Sequence, residues 1–469
     1  MTASLPLALT REAKVSDRPL VSVVMANHCG APHLPAAIAS VLAQTVSDIE
    51  LIVADDASSD ASAVLVRHAA AHDSRVTLIE MVENGGPSAA RNAALRAARG
   101  TWIAVVDSDD IIHPERFERI LERAEALQAD GVADDMVFFS EDGPIEPKTL
   151  LGASLDDAPQ EVSPAYFIRA NGLNSGLPAL GYLKPMLKRE KLAALSYDEA
   201  IRVGEDYDFL LRFLLDGNRF FLLPEPTYLY RRHSGSISHR LSEEKVEAMI
   251  TNQKALQVAY PTIASEAAEA LNKRMKGLEG ALAYEQLVSS LKRKAVARSA
   301  TLVAKRPTLV APLIRSVREH FSHPAKTAES TAPTGQVLLL REKLPDANLQ
   351  STVMRTLGIV GDGVAVAVPP FREKGGMDAG ERQSMAELTQ SAALNESRVI
   401  AFGLAGLRAA SLCSRGTLRA VVVEDANETP AILQRLDGLD VEMLVRDPAN
   451  GDLTPLITES SASPERKRA

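Results

Sequence analysis

Three acidic groups in the first half of this 469-residue chain have the types and order of a single chemistry: Asp55-Asp56 in ADDAS, Asp107-Ser108-Asp109-Asp110 in VVDSDD, and Glu205-Asp206 in GEDYD. A nucleotide diphosphate sugar would use all three. A carboxylate can accept the imide N–H of uracil. An Asp-x-Asp pair can meet the ribose and a divalent cation that bridges the diphosphate, and hard oxygen ligands select Mg²⁺ or Mn²⁺. A further carboxylate can take the proton of an attacking hydroxyl. Each group also has a plainer reading. Aspartates at strand ends cap the turn that follows, Asp-x-Asp is common by chance, and acids after Gly204 suit the first turn of a helix through its dipole. The order of the three along the chain favours the joint reading.

Those acids need a scaffold that brings them to one edge. VSVVMA at 21–26, IELIVADD, VTLIEMVEN and TWIAVVDSDD read as strands. Between them, Leu34, Ala37, Ile38, Val41 and Leu42 recur at helical spacing, 60–72 reads as helix, and Pro87 to Arg99 reads as a helix stopped by Gly100. Alternating strands and helices predict a mainly parallel α/β sheet, whose ligands bind beyond the carboxyl ends of the strands. Two of the acidic groups fall at those ends. Residues 115–130 and 204–216 read as helices, and 131–200, rich in Gly and Pro, as loops and short elements.

Composition bounds the partners. The chain is 46% hydrophobic and 24% charged with a formal charge of −9, so it is globular and not a basic nucleic-acid binder. Two cysteines, Cys29 and Cys413, argue against a disulfide framework. No apolar run is long enough to span a bilayer, and residues 1–19 read as a polar leader without the basic start of a signal peptide, so the expected location is cytoplasmic.

Five segments in order resemble the inverting family-2 glycosyltransferases of the GT-A fold: VSVVMANHCGAPHLPAAIASVLAQT with ELIVADDASSD, NGGPSAARNAALRAARG, VVDSDD, GEDYDFLLRFLLDG and YLYRRHSGSISHR. With LGYLKPMLKRE, they resemble enzymes of bacterial exopolysaccharide assembly, notably succinoglycan biosynthesis. The resemblance covers about residues 20–240. It implies a donor site of Ala26, Asp55, Asp56, Arg91, Asp107, Arg231 and Arg232, with the uracil contact at Asp55 or Asp56 and Asp56 slightly favoured. It implies metal ligation by Asp109 and His233, a general base at Asp206, and acceptor orientation by Glu205. Two departures stand out. The family commonly has Pro-x-Tyr-Asn where this chain has Ala26-Asn27-His28-Cys29, and Ala57 replaces a common Gly. The Gln-x-x-Arg-Trp motif of processive synthases is absent and the single tryptophan, Trp102, lies elsewhere, so one sugar per encounter is expected.

The second half divides into a helical segment at 241–327, a linker at 328–335, a small α/β domain at 336–455 with no motif that names a function, and a polar tail at 456–469. Residues 291–326 carry nine basic residues against one acid, interleaved with apolar ones, which reads either as a membrane-surface element or as a charged face packed on the protein. The expected function is non-processive transfer of a hexose, glucose from UDP-glucose first, to a saccharide or lipid-linked saccharide acceptor, at the inner face of the membrane. The alternatives are a nucleotidyltransferase, against which ANHCGAPH lacks the basic residues of a phosphate loop, and a binding scaffold without chemistry.

Overall fold

The computed structural model describes residues 18–140, 145, 148–152, 158–173, 175–233, 242–309 and six strands between 337 and 455. The α/β domain is built on a nine-stranded mixed sheet. Its first four strands are β1 (Val21–Asn27), β2 (Ile49–Asp55), β3 (Val76–Glu80) and β4 (Trp102–Val105), parallel in the order β3-β2-β1-β4. Helices α1 (Leu34–Leu42), α2 (Ser62–His72) and α3 (Pro87–Ala97) make the crossovers. β1 and β2 are apolar almost throughout because parallel strands are covered on both faces. Their carboxyl ends, at Asn27, Asp55 and the residues after Val105, lie along one edge.

The sheet continues from β4 into strands absent from the sequence reading. A two-residue β5 (Ile111–Ile112) precedes α4 (Arg116–Leu127), and then comes β6 (Gly131–Ser140), ten residues, all buried. Residues 131–140 were expected as loops because Gly131, Asp134 and Asp135 carry little strand propensity. The fold supplies partners for those acids. Arg116, fully buried, donates Nε and Nη2 to the Asp134 carboxylate at 2.8–3.1 Å, and Asp135 Oδ1 accepts from the N–H groups of Met136 and Leu151 at 2.8 Å. After β7 (Gln160–Glu161), α5 (Pro164–Ala170) and β8 (Met186–Lys188), α6 (Glu205–Leu215) leads to β9 (Phe220–Arg232). β9 contains Pro224 and Pro226, which argue against an interior strand. The register between β6 and β9 slips at Asp134 and Asp135, so Pro224 falls in the unpaired part of the slip and Pro226 stands opposite Asp135 within it, while β7 and β5 pair β9 only at 221–222 and 228–229, away from both prolines.

Helices α7 (Glu243–Ala259), α8 (Ser265–Lys292) and α9 (Val296–Lys305) follow. Beyond them, β10 (Val337–Arg341), β11 (Gly363–Ala367), β12 (Arg398–Phe402), β13 (Thr417–Val423) and β14 (Glu442–Arg446) are the five strand candidates read from the sequence, parallel in the order β11-β10-β12-β13-β14. An antiparallel β15 (Leu453–Pro455) closes the edge. The expected leader up to residue 17, the linker 328–335, the helices near 345–357, 380–395, 404–414 and 428–436, and the tail 456–469 lie outside the described residues.

Candidate active site

The carboxyl edge of β1, β2 and β4 gathers the predicted residues into two adjoining groups. At the end of β2, Asp55 is buried and accepts from Asn27 Nδ2 at 2.7 Å, Ser58 Oγ at 2.6 Å and Ser58 N at 3.1 Å. Asp56, equally buried, accepts the backbone N–H groups of Gly85 and Gly86 at 2.7 and 2.8 Å. This explains the Asn-Gly-Gly run before α3: Gly86 sits at φ +84° and turns its N–H into the carboxylate, with Pro87 opening the helix. Ala26 is the one partly exposed residue of β1 and lies in register with Ala54, two residues before Asp56. His28 Nδ1 meets the Asp56 carbonyl at 2.8 Å.

The two sequence departures fall at backbone positions of one kind. Cys29 and Ala57 both lie in the left-handed region, at φ +51° and +52°. The resemblance puts Asn and Gly at these positions, the residue types that reach that region most easily.

The second group surrounds α6. Gly204, at φ +82°, precedes the helix, and Glu205 and Asp206 occupy its first turn. Arg91, buried on α3, bonds Asp107 through Nη2 at 3.0 Å and reaches Glu205 and Asp206 through Nη1, both at 3.2 Å. Its guanidinium also lies over the Tyr197 ring, 5.4 Å from the centroid. Lys184, in the turn before β8, places Nζ 2.8 Å from Asp107 and 2.9 Å from Asp206. Two cations therefore stand among three acids. Burial disfavours the Asp107 carboxylate, but Lys184 and then Arg91 overcome this and hold its pKa well below the usual carboxylate range. Burial likewise works against the Lys184 ammonium, yet Asp107 and Asp206 raise its pKa well above the ordinary lysine value. Glu205 is pushed up, first by burial and then by the neighbouring Asp206 charge.

Next to Asp107, the carboxylates of Asp107, Asp109 and Asp110 lie within 4.8 Å of one another. They differ in commitment. Asp110 is buried and accepts the Tyr228 hydroxyl and the Arg231 N–H, each at 2.7 Å, and burial, with Asp109 and Asp107 beside it, raises its pKa well above normal. Asp109 is 35% exposed and meets His233 Nε2 at 3.0 Å. An oxygen-rich set with one outward carboxylate and one imidazole suits a hard divalent cation. Arg231 is buried; its Nε donates to the Asp109 carbonyl at 2.6 Å and its guanidinium lies over Phe139, so it holds the loop from below. Arg232, the next residue on the pleat, lies over Phe138. The Ser-Gly-Ser-Ile-Ser-His end of the last motif, at 234–239, lies outside the described residues.

Sequence reasoning missed Lys184 and Tyr228, and it gave Asp110, named within its acidic group, no role of its own. Lys184 stood in the quoted LGYLKPMLKRE segment, but no spacing rule connects it to acids 77 residues before and 22 after it. Tyr228 is found only through its hydroxyl, which also accepts the Asp107 N–H at 3.1 Å.

Acids gathered at the carboxyl edge of an α/β sheet, with an Asp-x-Asp loop facing a helix that starts with Glu-Asp, are the layout of a glycosyltransferase. The chain belongs to glycosyl transferase family 2, whose sequence profile matches residues 22–191. Among relatives, it is 37% identical over 325 residues to the succinoglycan biosynthesis protein ExoO of Rhizobium meliloti (strain 1021), covering 67% of this chain and 92% of that one. It is 31% identical over 233 residues to the succinoglycan biosynthesis protein ExoU of the same organism, covering 48% and 66%. The uncharacterized glycosyltransferase EpsJ of Bacillus subtilis (strain 168) is 31% identical over 245 residues, covering 52% and 70%. The crystal structure of S. aureus TarS 1-349 aligns with a TM-score of 0.44 at 17% identity, over 61% of this chain and 91% of that one.

Proposed function

We propose that this protein is a non-processive, inverting glycosyltransferase that moves a hexose from a UDP-hexose, glucose first among candidates, to a saccharide acceptor in exopolysaccharide assembly. The single observation that carries the reading is the convergence of Asp206 with Asp107, through Arg91 and Lys184, beside the outward Asp109. The assembly role draws on the succinoglycan relatives.

In this reading uracil lies over the end of β2. Asp56 takes the imide N–H, since it spends two acceptor sites on backbone where Asp55 spends three on Asn27 and Ser58. Asp107 meets the ribose. Asp109 and His233 hold Mg²⁺ or Mn²⁺, which when bound stabilises the charge of the departing diphosphate. Asp206 removes the proton of the acceptor hydroxyl as its oxygen attacks the anomeric carbon; the C–O bond to the diphosphate breaks, and an α-linked donor yields a β-linked product. Glu205 orients the acceptor, and Arg91 organises the acids between donor and acceptor sides. Arg231 supports the donor by fixing the Asp109 loop, and Arg232 and Ala26 border the same opening.

The acceptor in this proposal is lipid-linked, and contact with the membrane is electrostatic. Leu302 and Val303 of α9 pack with Leu309 against Ala283, Tyr284 and Leu287 of α8, so these apolar side chains are occupied within the protein. Lys292, Arg293, Lys294 and Lys305 remain exposed. Residues 310–326, the rest of the basic stretch, lie outside the described residues. Among the described residues, no helix is long and apolar enough to cross a membrane.

The test is a screen of UDP-glucose, UDP-galactose, UDP-GlcNAc and GDP-mannose with Mn²⁺, reading release of nucleoside diphosphate, on the wild type and Asp206→Asn. The expected result is release from a uridine donor and a loss of roughly 10²–10⁴-fold on removing the base. Full retention by Asp206→Asn sinks the base assignment, and release from GDP-mannose alone sinks the uracil site.

A further inference from the structure

We propose that Lys184 is a positioning residue for the transfer step: its ammonium ties the base, Asp206, to Asp107 and sets the direction in which Asp206 presents its free lone pairs. The inference rests on the glycosyl-transfer reading above.

Lys184 is 5% exposed, and a lysine is buried only when its charge is paired. The pairing here is divided between two elements, Asp107 after β4 and Asp206 in the first turn of α6. Those carboxylates repel each other, and a cation between them sets their separation. The two oxygens of Asp206 are held separately: Lys184 Nζ takes Oδ2 at 2.9 Å, and Arg91 Nη1 takes Oδ1 at 3.2 Å. Clamped at both oxygens, the carboxylate has a fixed plane, and the remaining lone pairs are left for an incoming hydroxyl.

The lysine is itself anchored. Its carbonyl accepts from Arg116 Nη2 at 2.5 Å, and the next carbonyl, of Pro185, accepts from Val105 N at 3.1 Å. Arg116 is held in turn by Asp134 in the middle of β6. The chain of contacts therefore runs from the sheet interior through the Lys184 backbone to the base. Lys184 acts on the reaction through Asp206, and displacement of a reacting group by about 1 Å costs about a hundredfold in rate.

The experiment uses the full chain and the donor that the wild type turns over in the screen above, with Lys184→Gln, Lys184→Arg, Asp206→Asn and the Gln/Asn double variant. Three quantities are read: kcat for nucleoside diphosphate release, the Kd of UDP with Mn²⁺ by calorimetry, and the donor KM. Lys184→Gln is expected to lose about a hundredfold in kcat while UDP binding and KM stay within about threefold, and Lys184→Arg to recover at least a tenth of the wild-type rate. The double variant is expected within about threefold of Asp206→Asn alone, because residues acting as one unit are non-additive. Losses that multiply, UDP affinity that falls in step with rate, or full activity of Lys184→Gln each overturn the proposal. If Gln prevents folding, the Arg variant decides: a folded Lys184→Arg as inactive as Asp206→Asn overturns it. A wild type that releases nothing from any donor overturns the transferase reading itself, a separate outcome.

Discussion

Ala57→Gly should stabilise the protein. Ala57 lies at φ +52° in the turn that carries Asp55 and Asp56, and just beyond it the Ser58 N–H and hydroxyl both donate to the Asp55 carboxylate, at 3.1 and 2.6 Å, so the turn cannot relax to a right-handed conformation at Ala57 without losing those bonds. An L-residue in the left-handed region costs about 1–2 kcal/mol. Glycine removes that strain but returns about 0.4–1 kcal/mol of conformational freedom to the unfolded chain. The difference leaves about 0.5–1 kcal/mol of net stabilisation, or about 1–4 °C in melting temperature for a domain of this size. Differential scanning calorimetry of the full chain, with urea unfolding as a second probe, reads the change. Ala57→Val is the opposing control, because a β-branched residue is an outlier there. Cys29→Asn, at φ +51°, should move the same way by less, since Asn favours that region without being free in it. A melting temperature that stays level or falls in Ala57→Gly refutes the strain argument.

Arg116→Met leaves the Asp134 carboxylate buried with the Thr227 hydroxyl as its remaining side-chain partner among the described residues, and should cost about 3–5 kcal/mol in urea unfolding; Arg116→Met with Asp134→Leu should recover most of that. Asp109→Ala should weaken metal activation of donor turnover by at least roughly tenfold, read as the Mn²⁺ concentration for half-maximal rate, and unchanged metal dependence would remove Asp109 from the site. Acid should destabilise the protein partly through Glu50. Burial works against its charge, but the Ser22 hydroxyl at 2.5 Å and the Arg99 N–H at 2.8 Å hold its pKa below normal. A depressed folded pKa contributes stability that is fully present above the unfolded value near ~4.3 and is lost as pH falls through the folded value. Glu50→Gln should therefore flatten the urea midpoint against pH between about 5 and 3, and an unchanged slope would count against it.

The parallel half of the sheet was legible because its signals are local. An apolar run buried on both faces and a helix repeating at three and four are written into neighbouring residues, and so are acids at strand ends. β6 and β9 were not legible. Their Asp134, Asp135, Pro224 and Pro226 contradict strand propensity, and only Arg116 and the register slip between the two strands resolve the contradiction. The family motifs placed Asp206 and Asp109 in one site, yet they were silent on which acids would be tied to protein groups. Asp110 looked equivalent to its neighbours until Tyr228 and the Arg231 N–H took both of its oxygens.

What lies in the order of the residues is therefore the family, the carboxylates and the edge on which they sit, because motif spacing and hydrophobic period are properties of the chain. The division of labour among those carboxylates belongs to the folded state. Asp107, Glu205 and Asp206 share Arg91 and Lys184 only because α3, the turn before β8 and the start of α6 meet at one point, and electrostatic pairing depends on distance in space rather than on separation along the chain.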